Sequence, residues 1–203
     1  MNLFTEEEWI EFAELVDSLG TLYTPEEEIT FRGESSSITR DYVMASANDA
    51  HKAAKMLNEN PELFEDAGLF TVLPIAKSVE MHLRLLYLGE NPTDFQNSKF
   101  RPSFALNSVC EWMGKQGSEP PSHKGTDGKA IPARGDYFLR FTVSFRGNWD
   151  NVKRFIRLAR NIYKCGNKYR HNQIRNWGVV KPIYENQVEL FNEFCDLFDK
   201  LTG

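Results

Sequence analysis

At 203 residues and 23.4 kDa the chain has the length of one domain, or of one domain with a small extension. Its 41% hydrophobic and 13% aromatic content is enough for a core and excludes a disordered chain. The net charge of −5 conceals an asymmetry: residues 140–182 carry eleven Lys/Arg against one acid, Asp150, a local +10 that leaves −15 on everything else.

No apolar run approaches the ~18 residues of a membrane span, so no membrane contact is expected. The start of the chain, MNLFTEEEWIEF, lacks the basic residues and apolar stretch of a secretory signal. The three cysteines, Cys110, Cys165 and Cys195, show no CxxC or Cys/His spacing. A reduced, cytoplasmic protein with no metal and no cofactor is the expectation.

In chain order, Thr5 and Glu8 form a capping box, and Trp9, Phe12, Leu15, Val16 and Leu19 give the following helix one apolar face. Residues 24–37 are polar and read as a loop. Tyr42, Val43, Ala50, Ala53, Ala54 and Leu57 predict a long helix over 38–58. Pro61 is expected to open a short helix that closes by Gly68. Residues 69–88 are the most hydrophobic helix, with Pro74 in its first turn and a stripe wide enough to be buried on two sides. Another helix is expected over 102–113.

Residues 115–135, rich in Gly, Pro, Ser and Lys, read as a long mobile loop. The segment YFLRFTVSF, 137–145, fits either a strand or a buried helix. Asn148 or Asp150 caps a helix running at least to Tyr163, and residues 182–201 form a last amphipathic helix. Strand signals are scarce, so the expected fold class is all-α.

The basic segment carries the functional signal. At about 100° per residue, Val152, Phe155, Ile156, Ala159, Ile162 and Tyr163 share one side of the helix, and Lys153, Arg157, Arg160 and Lys164 the other. If the helix passes Gly166, Lys168 and His171 extend that row. A phosphate backbone and the chain's own acidic remainder are the two candidate counterparts. With Arg175, these cations are the candidate RNA-binding residues. Trp149 and Trp177 flank the segment; core or interface packing is favoured for them over base stacking. His82 reads as a core or interface residue, and His51 and His123 as solvent-facing or loop residues.

The chemistry such a cluster suits is metal-independent RNA cleavage, in which the ribose 2′-hydroxyl attacks the adjacent phosphate. His171 is the candidate general acid/base. Arg170 or Arg160 would hold the developing charge, and Asn167 would orient the hydroxyl or the phosphate.

These residues resemble the HEPN superfamily, small all-α domains that include many RNases of toxin–antitoxin and antiphage systems. The family's RNxxxH element is similar to GNKYRHN, with Asn167 and His171 in matching places. Its earlier hydrophobic helix, with a Glu and a basic residue four positions on, is similar to LPIAKSVEMHLRLLYLGENP, with Glu80 and Arg84 matching. Gly166 stands where the family's arginine would be. The overlapping RNIYKC, 160–165, keeps Arg-Asn but ends in Cys165.

The resemblance spans roughly 69–201. It implies a helical bundle over residues 67–203 with a helical extension over 1–66. It further implies a homodimer, which the wide apolar stripe of residues 69–88 also favours, that cuts RNA or binds it in weakened form, with a possible antitoxin or defence-system partner. Rebuilding arginine at 166 would then raise activity. A different class is a non-catalytic interaction module whose basic helix meets an acidic protein. A nucleotide or small-molecule sensor is a third.

Overall fold

The computed structural model describes residues 5–20, 38–95, 100–115, 122–124, 128–133, 136–170 and 174–203. Among them the fold is all-α: α1 (Glu6–Gly20), α2 (Arg40–Glu59), α3 (Ala67–Leu88), the single turn α4 (Pro92–Phe95), α5 (Pro102–Gly114), α6 (Asp136–Phe145), α7 (Trp149–Arg170) and α8 (Trp177–Thr202), with one small hairpin, β1 (Ser122–Lys124) and β2 (Ala130–Pro132). None of the described helices is long and apolar enough to cross a membrane.

Local chemistry sets the helix starts. The Thr5 amide donates to Glu8 at 2.9 Å and the Glu8 amide to Thr5 at 3.2 Å, the reciprocal pair the sequence predicts. Thr39, Asp66 and Asn176 cap α2, α3 and α8, each accepting the amide three residues on.

Helix α3 is the axis. Sixteen of its 22 residues are buried, and α2, α7, α8 and α5 pack around it. The wide apolar stripe is thus consumed within the chain. Phe12, Val16 and Leu19 of α1 and Val43, Ala47, Ala50 and Leu57 of α2 belong to the same core as α3, α7 and α8. Helices α1 and α2 therefore share one hydrophobic interior with α3, α7 and α8.

Several elements differ from the sequence reading. Residues 61–66 form a turn rather than a short helix, because the Asp66 cap starts α3 at Ala67. Gly68 then lies inside α3, and Pro74 falls well beyond the first turn. The 115–135 segment is not all loop: Ser122 pairs with Pro132 and Lys124 with Ala130 in an antiparallel ladder. Tyr87 holds that hairpin by donating to the Ile131 carbonyl and accepting from the His123 amide at 3.3 Å. His123 is half-buried, stacked on Phe104 at 5.2 Å. The ambiguous 137–145 segment is α6, and α7 continues past Tyr163 and through Gly166.

His82 is a core residue, with 0% exposure. Its Nδ1 donates to the Ser78 carbonyl at 2.7 Å, and its ring meets Phe191, Phe194 and Phe198 edge-on. Nε2 has no hydrogen-bond partner among the described residues. Burial pushes its pKa from 6.5 down to about 4. The folded protein keeps this ring neutral where the unfolded chain takes up a proton. Its contribution is intact above pH 6.5 and is lost as pH falls toward 4, at about 1.4 kcal/mol per pH unit. His82→Leu should flatten this part of the acid limb when urea unfolding free energies of the two proteins are compared between pH 7 and roughly 4.5.

Candidate nucleic-acid interface

Helix α7 carries the basic row because its opposite side is apolar. Val152, Phe155, Ile156, Ala159 and Ile162 point into the core and leave the cations outward. The row divides into two halves with different surroundings.

In the first half the chain's own acids are the counterpart. Glu11 of α1 bridges Lys153, at 3.1 Å, and Arg157. Arg154, on a neighbouring face, meets Glu193 of α8 through two parallel contacts of 2.6 Å. That pairing holds the Arg154 guanidinium above, and the Glu193 carboxyl below, their ordinary ranges. Two of the predicted RNA-binding residues, Lys153 and Arg157, are therefore paired inside the molecule.

In the second half, Arg160, Lys164 and Lys168 have no ion pair among the described residues. Lys164 and Lys168 are exposed and Arg160 is half-buried. Arg175, also exposed, follows across the α7–α8 connection, and its carbonyl accepts the Ala67 amide at 3.1 Å, tying that connection to the start of α3.

Arg160, Tyr163, Lys164 and Asn167 lie at i, i+3, i+4 and i+7, so they share one side of α7. Tyr163 links this side to α3 by donating to Glu80 Oε2 at 3.4 Å. The other Glu80 oxygen accepts from Nε and Nη2 of Arg84, both at 3.1 Å. Arg84 also donates to the Phe95 carbonyl at 3.2 Å and lies over the Phe100 ring at 5.0 Å. The Arg84 side chain is 2% exposed and that of Glu80 14%. Arg84 is thus committed to the interior. Glu80, at the edge of the α3–α7 contact, is the member of the pair that reaches toward the basic side.

Asn167 and Arg170 are half-buried near the end of α7. His171 lies outside the described residues; of the predicted site residues, Arg160 and Asn167 share the side of α7 on which Tyr163 meets Glu80. Glu11 and Tyr163 were missed in the sequence. Glu11 had no visible signal, since its partners lie 142 and 146 residues away. Tyr163 was read only as part of the apolar face.

Gly166 has a clear packing role. A Cβ there would lie 2.3 Å from the Ala76 Cβ, and one at Gly68 would lie 2.0 Å from the Tyr169 ring. Helices α3 and α7 approach closely at both points. The position that resembles the family's arginine faces α3, not solvent, and has no room for a side chain. The expectation that arginine at 166 raises activity is corrected on this ground.

Trp149 and Trp177 are buried. Trp149 packs on Phe12 and Phe145, and Trp177 donates to Asn58 at 3.2 Å, so neither offers a face to a base. The thiols are poor nucleophiles: burial raises Cys110 and Cys165 and pushes Cys195 up to about 12. A separate cleft of about 240 Å³ lies among Arg40, Val43, Tyr137, Arg140, Phe198 and Asp199. Its arginines are already engaged, Arg40 with Asp199 and Arg140 over the Tyr137 ring at 5.5 Å.

Fold and site together define an all-α protein with a half-neutralised basic helix on its surface. No protein-family model matches the chain. No curated protein and no solved structure matches it either.

Proposed function

We propose that this protein is RNA-directed and that the second half of α7 is its RNA-binding surface. The observation that carries the reading is the division of the basic row: Arg160, Lys164 and Lys168 stand without carboxylates among the described residues, while the cations before them are paired. Sequence-independent RNA affinity comes chiefly from such cations displacing counterions from phosphates.

A catalytic role follows the same residues. His171 takes the proton of the 2′-hydroxyl as this oxygen attacks the neighbouring phosphorus. The bond from phosphorus to the 5′-oxygen breaks, that oxygen takes the proton from the His171 imidazolium, and the strand ends in a 2′,3′-cyclic phosphate. Arg160 or Arg170 holds the charge on the phosphorane, and Asn167 orients it. The proposed setting is that of toxin–antitoxin or antiphage proteins, on the sequence resemblance alone.

Cleavage of a long RNA in EDTA by wild type and His171→Ala tests the chemistry. Loss of about 10²–10⁴ in rate, with binding kept within a few-fold, is the expected result. Equal cutting by both places the active site elsewhere; binding without cutting by either leaves a non-catalytic binder. For the surface, Lys164→Gln with Lys168→Gln should weaken RNA binding and reduce the salt slope by about 1.4.

We also propose a homodimer through the end of the bundle where the α2–α3 and α7–α8 connections meet. Met56, Leu63, Leu69, Phe70, Ile174 and Val179 are exposed there, and Phe64 stacks on Phe70 at 4.3 Å. Exposed Glu62 and Glu65 follow α2 and exposed Arg175 precedes α8, so a twofold axis would oppose acid to base. Light scattering at tens of micromolar should give twice 23.4 kDa.

One observation favours a second reading. Helix α7 already accepts an acidic helix, α1, so an acidic protein is a chemically suitable partner for its remaining cations. Retention of such a partner with no RNA affinity would select it.

A further inference from the structure

The Glu11 contact joins an all-acidic helix to an all-but-basic one. Helix α1 carries Glu6, Glu7, Glu8, Glu11, Glu14 and Asp17 and no Lys or Arg. Only Glu11 reaches Lys153 and Arg157, one oxygen to each. Those two cations continue the row of Arg160, Lys164 and Lys168 at steps of three and four residues, a line of about 22 Å along the helix. Lys153 is held in place: its side chain is 19% exposed and its ammonium lies 5.4 Å over the Trp149 ring. A carboxylate that places one oxygen on an ammonium and the other on a guanidinium uses the donors that two phosphate oxygens would use.

We propose that Lys153 and Arg157 form a latent phosphate site in which the Glu11 carboxylate occupies the position of an RNA phosphate. The inference rests on the RNA-directed reading above. Helix α1 itself stays in place, because Phe12, Val16 and Leu19 are fully buried. What yields is one side chain. Glu11 is 35% exposed and Arg157 49%, and partly exposed pairs of this kind are weak enough for a strand already bound to Lys164 and Lys168 to displace. The result is a graded surface: a short open stretch binds first, and a longer strand recruits the covered stretch by competing with Glu11.

The test is binding of a uridine oligonucleotide long enough to follow the whole row, measured across a salt series with the full chain. Glu11→Gln should bind roughly three- to tenfold tighter than wild type, with a salt slope steeper by at most about 0.7, the value for one added phosphate contact. Glu14→Gln, which makes the same charge change on an exposed position of α1, should stay within about twofold. Removing Lys153 and Arg157 together (K153Q, R157Q) should cost more affinity in the Glu11→Gln protein than in wild type. Equal binding by the Glu11→Gln and Glu14→Gln proteins, or equal losses in the two backgrounds, overturns the proposal and leaves the RNA-directed reading standing. Absence of RNA binding by both wild type and Glu11→Gln overturns both.

Discussion

Arg84→Ala should lower the free energy of unfolding by about 3–5 kcal/mol, the usual cost of removing one partner from a buried ion pair. The loss has three sources. Glu80, 14% exposed, would lose the guanidinium and keep, among the described residues, the Tyr163 hydroxyl. The Phe95 carbonyl would lose its donor, and Phe100 would lose the guanidinium on its face. In a chain of this size such a loss moves the thermal midpoint by roughly 10 °C. Replacing both partners by methionine should recover much of it, because no charge is then stranded. Urea unfolding of wild type, Arg84→Ala and the double variant checks the order. An Arg84→Ala protein as stable as wild type would show that the pair is solvated and the site more open than described.

Gly166→Ala should destabilise the protein by about 1–3 kcal/mol, although alanine is the better helix former by about 1 kcal/mol. Packing wins because the added Cβ meets the Ala76 Cβ, part of a helix that has no flexible end to withdraw. Gly166→Arg should be worse and should lose native near-ultraviolet dichroism rather than gain cleavage. Gly114 supplies the contrast. Nothing lies within 4 Å of a Cβ there, so Gly114→Ala should be neutral or stabilising by a few tenths of a kcal/mol. Equal effects at the two glycines would mean that backbone propensity, not the α3–α7 approach, governs position 166.

The parts of the fold that could be read from the sequence were those set within a few residues. The Thr5–Glu8 cap, the α2 and α3 periodicities and the apolar face of α7 are decided by side chains three or four positions apart. What escaped depended on distant partners. Whether Gly166 ends a helix or continues it is decided by Ala76, ninety residues earlier. The 122–132 hairpin sits in a stretch whose composition says loop, and is held by Tyr87 from α3. At the site, the basic row was legible and its division was not, because Glu11 and Glu193 come from opposite ends of the chain. Trp149 and Trp177, for which the sequence favours core or interface packing over base stacking, are buried.

The close approach of α3 and α7 also bears on what kind of discrimination this surface can exercise. Two helices in contact through Gly68 and Gly166 leave no slot between them into which a nucleobase could be turned and held on its edges. With both neighbouring tryptophans turned inward and Tyr163 buried against Glu80, no ring among the described residues of this face is open to one either. A strand lying here would be gripped by its backbone with its bases facing water. Choice among RNAs would then come from length, flexibility and absence of pairing, and a panel of unstructured homopolymers should bind alike while a stable hairpin of the same length binds less well.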